Sequence, residues 1–304
     1  MFKTIEDLVV QAESRGMKLW QMMLEQEMEE SGKSEEKIFA AMRDRYHVMQ
    51  RAIQLGITGV HARSGLTGGD AKKLHDHLLS GNCLTDTTFL KAVCYAMATN
   101  EVNASMGVVC ATPTAGSSGV LPGVLEALRE ARGFSEEQML QALLTAGAIG
   151  FVIANNAFIS GAAGGCQAEV GSAAAMAAAA AVELCGGSPR QAAQAMAMAM
   201  KNLLGLTCDP VAGLVEVPCV KRNAGGASIA LSAAEMALAG VQSRIPPDEV
   251  ISAMHAIGQA LPEALRETAL GGLAMTPTGR AWTKALRGDP VQAPSCEWPP
   301  AVQA

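Results

Sequence analysis

Gly171-Ser-Ala-Ala-Ala-Met-Ala-Ala-Ala-Ala-Ala-Val182 and, beyond the break at Gly186-Gly187-Ser188-Pro189, Gln194-Ala-Met-Ala-Met-Ala-Met200 decide the fold class. Alanine is the strongest helix former, and its small side chain lets neighbouring backbones approach closely, while methionine fills the irregular gaps. Both stretches therefore read as tightly packed core helices rather than as a methionine-rich binding groove. The break between them carries its own punctuation. Gly186 can end the first helix, and Ser188, Pro189 and Gln191 fit an N-cap, a first helical position and a capping-box partner. Ser135 with Gln138 repeats that pattern after Gly133.

Outward from this centre, Ala, Met and Leu recur at helical spacing almost throughout. Aromatic residues make up 4% of the chain, and no sustained period-2 alternation of β-branched residues appears. The reading is all-α. Helices are expected at about 4–30, 35–55, 70–80, 86–102, 122–132, 136–158, 172–185, 189–204, 226–240 and 247–268, with boundaries good to a few residues. No low-complexity linker divides the chain, so 1–286 reads as one large helical domain and 287–304, with four prolines, as a tail.

A length of 304 residues with 49% hydrophobic content is ample for a substantial core. A net charge of −6 and no dense Lys/Arg run leave no basic face for a nucleic-acid backbone. The first thirty residues read as a charged amphipathic helix rather than a secretion signal, so a cytoplasmic location is expected. The most apolar stretches, near 141–164 and 172–185, are broken or short against the roughly 20 apolar residues of a membrane span, and read as core helices. Eight cysteines in a reducing compartment are not a disulfide framework. Metal binding, catalysis or plain packing must account for them.

The joints between helices are rich in glycine: Ser64-Gly-Leu-Thr-Gly-Gly-Asp70, Thr112-Pro-Thr-Ala-Gly-Ser-Ser-Gly119, Gly161-Ala-Ala-Gly-Gly-Cys166, Ala224-Gly-Gly226 and Gly271-Gly272. Glycine permits positive φ and lets bare backbone N–H groups face a ligand. Five such joints point to convergence on one pocket. Cys166, Cys208 and Cys219, spaced C-x41-C-x10-C, lie in or beside these loops. No Cys-x-x-Cys pair supports a zinc ribbon or a ferredoxin-type motif. On spacing alone the three read as buried apolar thiols.

The segments around the cysteines change that reading. Gly161-Ala-Ala-Gly-Gly-Cys166-Gln-Ala-Glu-Val-Gly-Ser-Ala173 and Gly205-Leu-Thr-Cys208-Asp-Pro-Val-Ala-Gly-Leu-Val-Glu-Val-Pro-Cys219 resemble the two cluster-binding segments of the iron–sulfur-dependent L-serine dehydratase α chain. Ser64 to Lys73, Ala111 to Pro122, Lys221 to Ala227 and Arg266 to Gly279 are similar to further segments of that family, so the resemblance spans nearly the whole chain. It departs at Ala115, where relatives typically carry Asn, and at Ser117-Ser118, where they carry two alanines.

The resemblance implies deamination of L-serine to pyruvate and ammonia at a four-iron four-sulfur cluster, with Cys166, Cys208 and Cys219 as ligands and one iron left open as a Lewis acid. It implies no pyridoxal phosphate. It places the substrate among Ser64, Gly65, Thr67, Gly68, Gly69, Thr112 and Thr114, and Arg222 and Asn223, a few residues after Cys219, are within sequence reach of the cluster edge or a substrate carboxylate. The alternative for the 64–70 loop is an ordinary helix N-terminus capped by Asp70, and for Arg222 and Asn223 a salt-bridge or capping role. His61 is the candidate base, being the histidine nearest that loop in sequence. Cys296, in the tail, is a further thiol that the resemblance allows near the open iron. A β subunit partner and an oligomer are also expected, because related enzymes carry a β portion that this chain lacks. Two other functions stay open on the residues: a cluster-dependent L-cysteine desulfidase, and a helical binding or assembly protein whose cysteines merely pack.

Overall fold

The computed structural model describes residues 2–288. Thirteen α-helices follow one another: α1 (Ile5–Arg15), α2 (Leu19–Ser31), α3 (Glu35–Gly56), α4 (Asp70–Leu79), α5 (Thr87–Ala104), α6 (Val120–Arg132), α7 (Glu136–Asn156), the single turn α8 (Gly161–Gly164), α9 (Cys166–Leu184), α10 (Pro189–Lys201), α11 (Cys219–Leu238), α12 (Pro247–Ala260) and α13 (Pro277–Leu286). Among the described residues there is no strand, only isolated bridges pairing His61 with Gly68 and Cys208 with Arg266. The all-α expectation holds.

The alanine stretch forms the centre. Every residue of α9 from Cys166 to Glu183 is buried, and α6, α7, α10 and α11 pack around it. A helix with no polar face can exist only where neighbours cover it on all sides. α7 is long and apolar enough by composition to cross a membrane, yet most of it is buried within the bundle against α9 and α2. Small residues also let α5 and α6 meet backbone to backbone. A Cβ at Gly119 would overlap the Ala96 carbonyl, and one at Gly123 would stand 2.7 Å from the Ala96 nitrogen.

Several helix boundaries differ from the sequence expectation, each for a local reason. The helix expected over 4–30 is two, because Gly16 (φ 63°) closes α1 with its N–H on the Ala12 and Glu13 carbonyls. The α12 helix stops at Ala260 rather than 268, since Leu261 precedes Pro262 and a residue before proline is driven out of the helical region. α13 was not anticipated, although Thr276 as N-cap and Pro277 at the first position are readable start signals. The boundaries that matter most are those of α9 and α11, which begin at Cys166 and Cys219 rather than at 172 and 226.

Three helix N-termini are capped by carboxylates from distant chain. Asp248 accepts from the Ile5 and Glu6 nitrogens at 2.7 and 3.0 Å. Glu183 accepts from Leu19 and Trp20 at 2.6 and 3.2 Å, and Glu101 from Asp70 and Ala71 at 2.9 and 3.3 Å. Each satisfies N–H groups that the first turn leaves unpaired and places negative charge on the positive end of the helix dipole. The cap of α4 is thus supplied by Glu101, with Asp70 as the first helical residue rather than the N-cap.

Candidate metal and active site

Cys166 and Cys219 are the first residues of α9 and α11, and Cys208 lies in the loop between α10 and α11. All three are buried and unbridged, at 1%, 4% and 2% exposure. A cysteine in the first turn of a helix faces the positive end of the dipole, which favours the thiolate. Glu169 stands one turn after Cys166 and joins it. The ligating atoms of Cys166, Glu169 and Cys208 lie within 4.8 Å of one another. The Cys219 thiol, the third expected ligand, is not part of this group; it is buried nearby at the start of α11, three residues before Arg222, which bonds to the residues on both sides of Cys208.

The electrostatics are those of crowded acids in a dry place. A hydrogen bond from Cys208 holds the Cys166 thiol below its usual value, burial opposes this, and Arg222 supports it. The same hydrogen bond, together with burial, pushes Cys208 up. Burial also raises Cys219 and Glu169. The two thiols are therefore driven in opposite directions, Cys166 toward the thiolate and Cys208 toward the thiol. Soft sulfur donors with one carboxylate, gathered in a buried place, fit an iron–sulfur or comparable thiophilic metal group.

The glycine-rich joints at 64–70, 112–119, 161–166 and 271–272 border this region, whereas Ala224-Gly225-Gly226 lies inside α11 and is not a joint. Thr114 hydrogen-bonds to the Glu169 carboxylate, and a Cβ at Gly116 would stand 2.6 Å from Glu169 Oε1. Asn223, fully buried, donates to the Gly116 and Cys219 carbonyls at 2.7 and 2.9 Å and accepts from the Gly119 nitrogen at 2.9 Å. Its amide is spent on tying the 112–119 loop to α11. The 64–70 loop is held to the third cysteine's loop by Ser64, whose hydroxyl donates to Glu216 Oε2 at 2.5 Å, and to α11 by the Asp70–Lys221 ion pair. Within that loop Gly65, Gly68 and Gly69 all have positive φ. The buried Thr67 hydroxyl has no protein partner. Thr112 is buried, with its hydroxyl 3.5 Å from the Ser118 carbonyl.

His61 is exposed. Its Nδ1 lies 3.2 Å from the Gly59 carbonyl, and its ring stands over Gly69, where a Cβ would come within 3.3 Å of Nε2. It thus borders the 64–70 loop. Arg222 is mostly buried and bonded to protein, donating to the Thr207 carbonyl and to Asp209 Oδ1, both at 2.7 Å. Cys83, Cys94, Cys110 and Cys185, like Cys219, belong to no metal-capable group among the described residues, but unlike Cys219 they lie away from the Cys166–Cys208 pair; Cys296 lies outside those residues.

Sequence reading missed Glu169, Asp209 and Glu267. Starting α9 at 172 hid the Cys166–Glu169 relation, which a helix beginning at Cys166 makes plain as i and i+3 on one face. Asp209 follows Cys208 directly. Glu267 adopts a positive φ of 62°, uncommon for a non-glycine residue, and its N–H bonds the Cys208 carbonyl at 2.7 Å.

A further consequence concerns Gly161, where a Cβ would lie 2.7 Å from Cys208 Sγ and 3.2 Å from a Glu267 oxygen. A Gly161→Ala chain is expected to keep its helical circular dichroism and to lose at least half of the iron bound per chain on reconstitution. Unchanged iron content would show that Cys208 tolerates displacement.

Buried thiols and a carboxylate meet at the head of α9, in an all-helical chain with glycine loops folded beside them, and form a centre able to hold a metal ion. The family profile described as serine dehydratase alpha chain matches residues 14–274. The chain is 58% identical over 288 residues to the "Probable L-serine dehydratase, alpha chain" of Bacillus subtilis, covering 95% of this chain and 96% of that one. It is 43% identical over 281 residues to the "L-serine dehydratase, alpha chain" of Peptoniphilus asaccharolyticus, covering 92% and 96%. A match at 38% identity to the "L-serine dehydratase" of Streptomyces coelicolor covers 90% of this chain but 61% of that longer protein. The chain belongs to the serine dehydratase alpha chain family.

Proposed function

We propose that this chain is the catalytic α chain of a cytoplasmic L-serine ammonia-lyase, releasing pyruvate and ammonia, with Cys166, Cys208 and Cys219 holding an iron–sulfur cluster of the four-iron four-sulfur type. The observation that carries this reading is the meeting of Cys166, Glu169 and Cys208 within 4.8 Å, buried, at the head of the central helix. When bound, such a cluster supplies a Lewis-acidic iron that draws electron density from the substrate's carboxylate and hydroxyl.

The chain's own residues then divide the remaining work. The 64–70 loop forms the serine pocket, with Gly65, Gly68 and Gly69 shaping the backbone and the unpartnered Thr67 hydroxyl offering a hydrogen bond. Ser64 orients that loop through Glu216. Thr112 and Thr114 close the opposite wall, Thr114 by holding Glu169 in place. His61 takes the Cα proton on Nε2, because a proton on Nδ1 bonded to the Gly59 carbonyl leaves Nε2 as the acceptor. Arg222 and Asn223, which the sequence offered as substrate-binding residues, act instead on the protein, Arg222 on the Cys208 segment and Asn223 on the 112–119 loop. The longer relative supports a second polypeptide that completes the enzyme here, a β subunit in an oligomeric assembly. No pyridoxal phosphate is required.

The test is anaerobic reconstitution of the chain with its β partner, followed by its visible spectrum and by pyruvate release from L-serine. A broad brown absorption that bleaches in air, together with pyruvate, is expected. A folded chain that takes up no iron overturns the proposal. A higher kcat/KM for L-cysteine than for L-serine would move the substrate assignment.

A further inference from the structure

One guanidinium touches all three cysteine-bearing segments. Arg222 sits in the first turn of α11, three residues after Cys219. Its Nη1 donates to the Thr207 carbonyl and its Nη2 to Asp209 Oδ1, each at 2.7 Å, so it grips the chain on both sides of Cys208. Its charge also lies against the Cys166 thiol. Asp209 is 4% exposed and its second oxygen, Oδ2, accepts from the Leu273 nitrogen at 2.7 Å. Gly272 lets that segment approach, since a Cβ there would overlap the Asp209 carboxylate. The backbone of 265–267 meanwhile brackets Cys208, with Cys208 N–H on the Leu265 carbonyl at 2.8 Å and Glu267 N–H on the Cys208 carbonyl at 2.7 Å.

We propose that Arg222 and Asp209 form a clamp that sets the position of Cys208 relative to Cys166 and Cys219, so that Arg222 is a positioning residue of the metal centre and not the group that binds the substrate carboxylate. Its Nη1 and Nη2 each already donate to protein, one to a carbonyl and one to a carboxylate, and that carboxylate is buried, which fixes the plane of the guanidinium. Cys208 lies on a loop with no helix to hold it, whereas Cys166 and Cys219 are each fixed by the start of a long helix. The loop cysteine is therefore the one that needs an external restraint. Lysine cannot replace this arginine, because two bonds diverging from one planar group span Thr207 and Asp209. The clamp's role toward the cluster rests on the function proposed above, but its hold on Cys208 does not.

Two measurements on the full chain separate these. In the metal-free chain, alkylation of Cys208 by a small thiol reagent, mapped by mass spectrometry, is expected to accelerate at least tenfold in both Arg222→Lys and Asp209→Asn, with Cys94 unchanged as the internal reference. In the reconstituted enzyme with its β partner, loss of iron to a chelator is expected to accelerate at least tenfold in both variants, with KM for L-serine within twofold of wild type. Unaltered Cys208 reactivity in both folded variants overturns the clamp. So does a KM raised tenfold or more in Arg222→Lys with wild-type iron retention, which would return Arg222 to the substrate. If wild type takes up no iron but Cys208 still becomes reactive in the variants, the clamp stands and the cluster assignment falls. Asp209→Asn preserves shape and the Leu273 bond, so it serves where Arg222→Lys fails to fold.

Discussion

A Cys208→Ala chain, reconstituted anaerobically with its β partner, is expected to lose the brown absorption and to release pyruvate at least about 100-fold more slowly than wild type. Replacing residues that merely support a metal ligand typically costs 10–100-fold, so losing a ligand itself sets that as the lower bound. The structural cost should be small, because only a sulfur atom is removed from a loop position. The control is Cys94→Ala. Cys94 is fully buried, its thiol lies 3.5 Å from the Ala71 carbonyl, and it sits in no metal-capable group. That variant is expected to keep its iron while losing some stability. Equal iron content in Cys208→Ala and wild type would make Cys208 a packing residue.

Gly119→Ala is expected to destabilise the fold by about 3 kcal/mol, near the upper end of overpacking costs. The sign is informative, because alanine normally stabilises a helical position relative to glycine. Gly119 has ordinary helical dihedrals of −86° and −25°, so its backbone poses no barrier to a side chain. What forbids one is the Ala96 carbonyl, which a Cβ would overlap. Either α5 and α6 separate or the backbone shifts, and both disturb the 112–119 loop that leads into α6. By the usual scaling of 2–4 °C per kcal/mol for large domains, the thermal midpoint falls by roughly 6–12 °C. Gly225, within α11, has open space around its Cβ position. Gly225→Ala is the matched comparison and should be neutral or slightly stabilising, as read by calorimetry or urea titration.

These two substitutions mark the division between what the residues announce and what only the folded chain reveals. The alanine helices, and the capping boxes at Ser135–Gln138 and Ser188–Gln191, appear where composition and spacing place them, because each depends on neighbours in sequence. The caps supplied by Glu183, Glu101 and Asp248 could not be read that way, since acceptor and donor lie 164, 31 and 243 residues apart. The same holds at the candidate site. The cysteines stand out through their resemblance to a known pattern, and the glycine loops through composition. Glu169 was hidden by a helix start placed six residues late, where the run Gly164-Gly165 reads as loop although Gly165 serves as the N-cap. Asp209 and Glu267 acquire meaning only when the 265–273 segment folds back beside Cys208.

The enclosure of α9 divides the centre into an unyielding wall and a yielding one. Cys166 is anchored to an element surrounded by four other helices, whose amides can open only when the bundle itself comes apart. Cys208 is kept in place by a few backbone bonds to 265–267 and by a single side-chain bridge. A metal group held between Cys166 and Cys208 would therefore have its less firmly anchored wall on the Cys208 side.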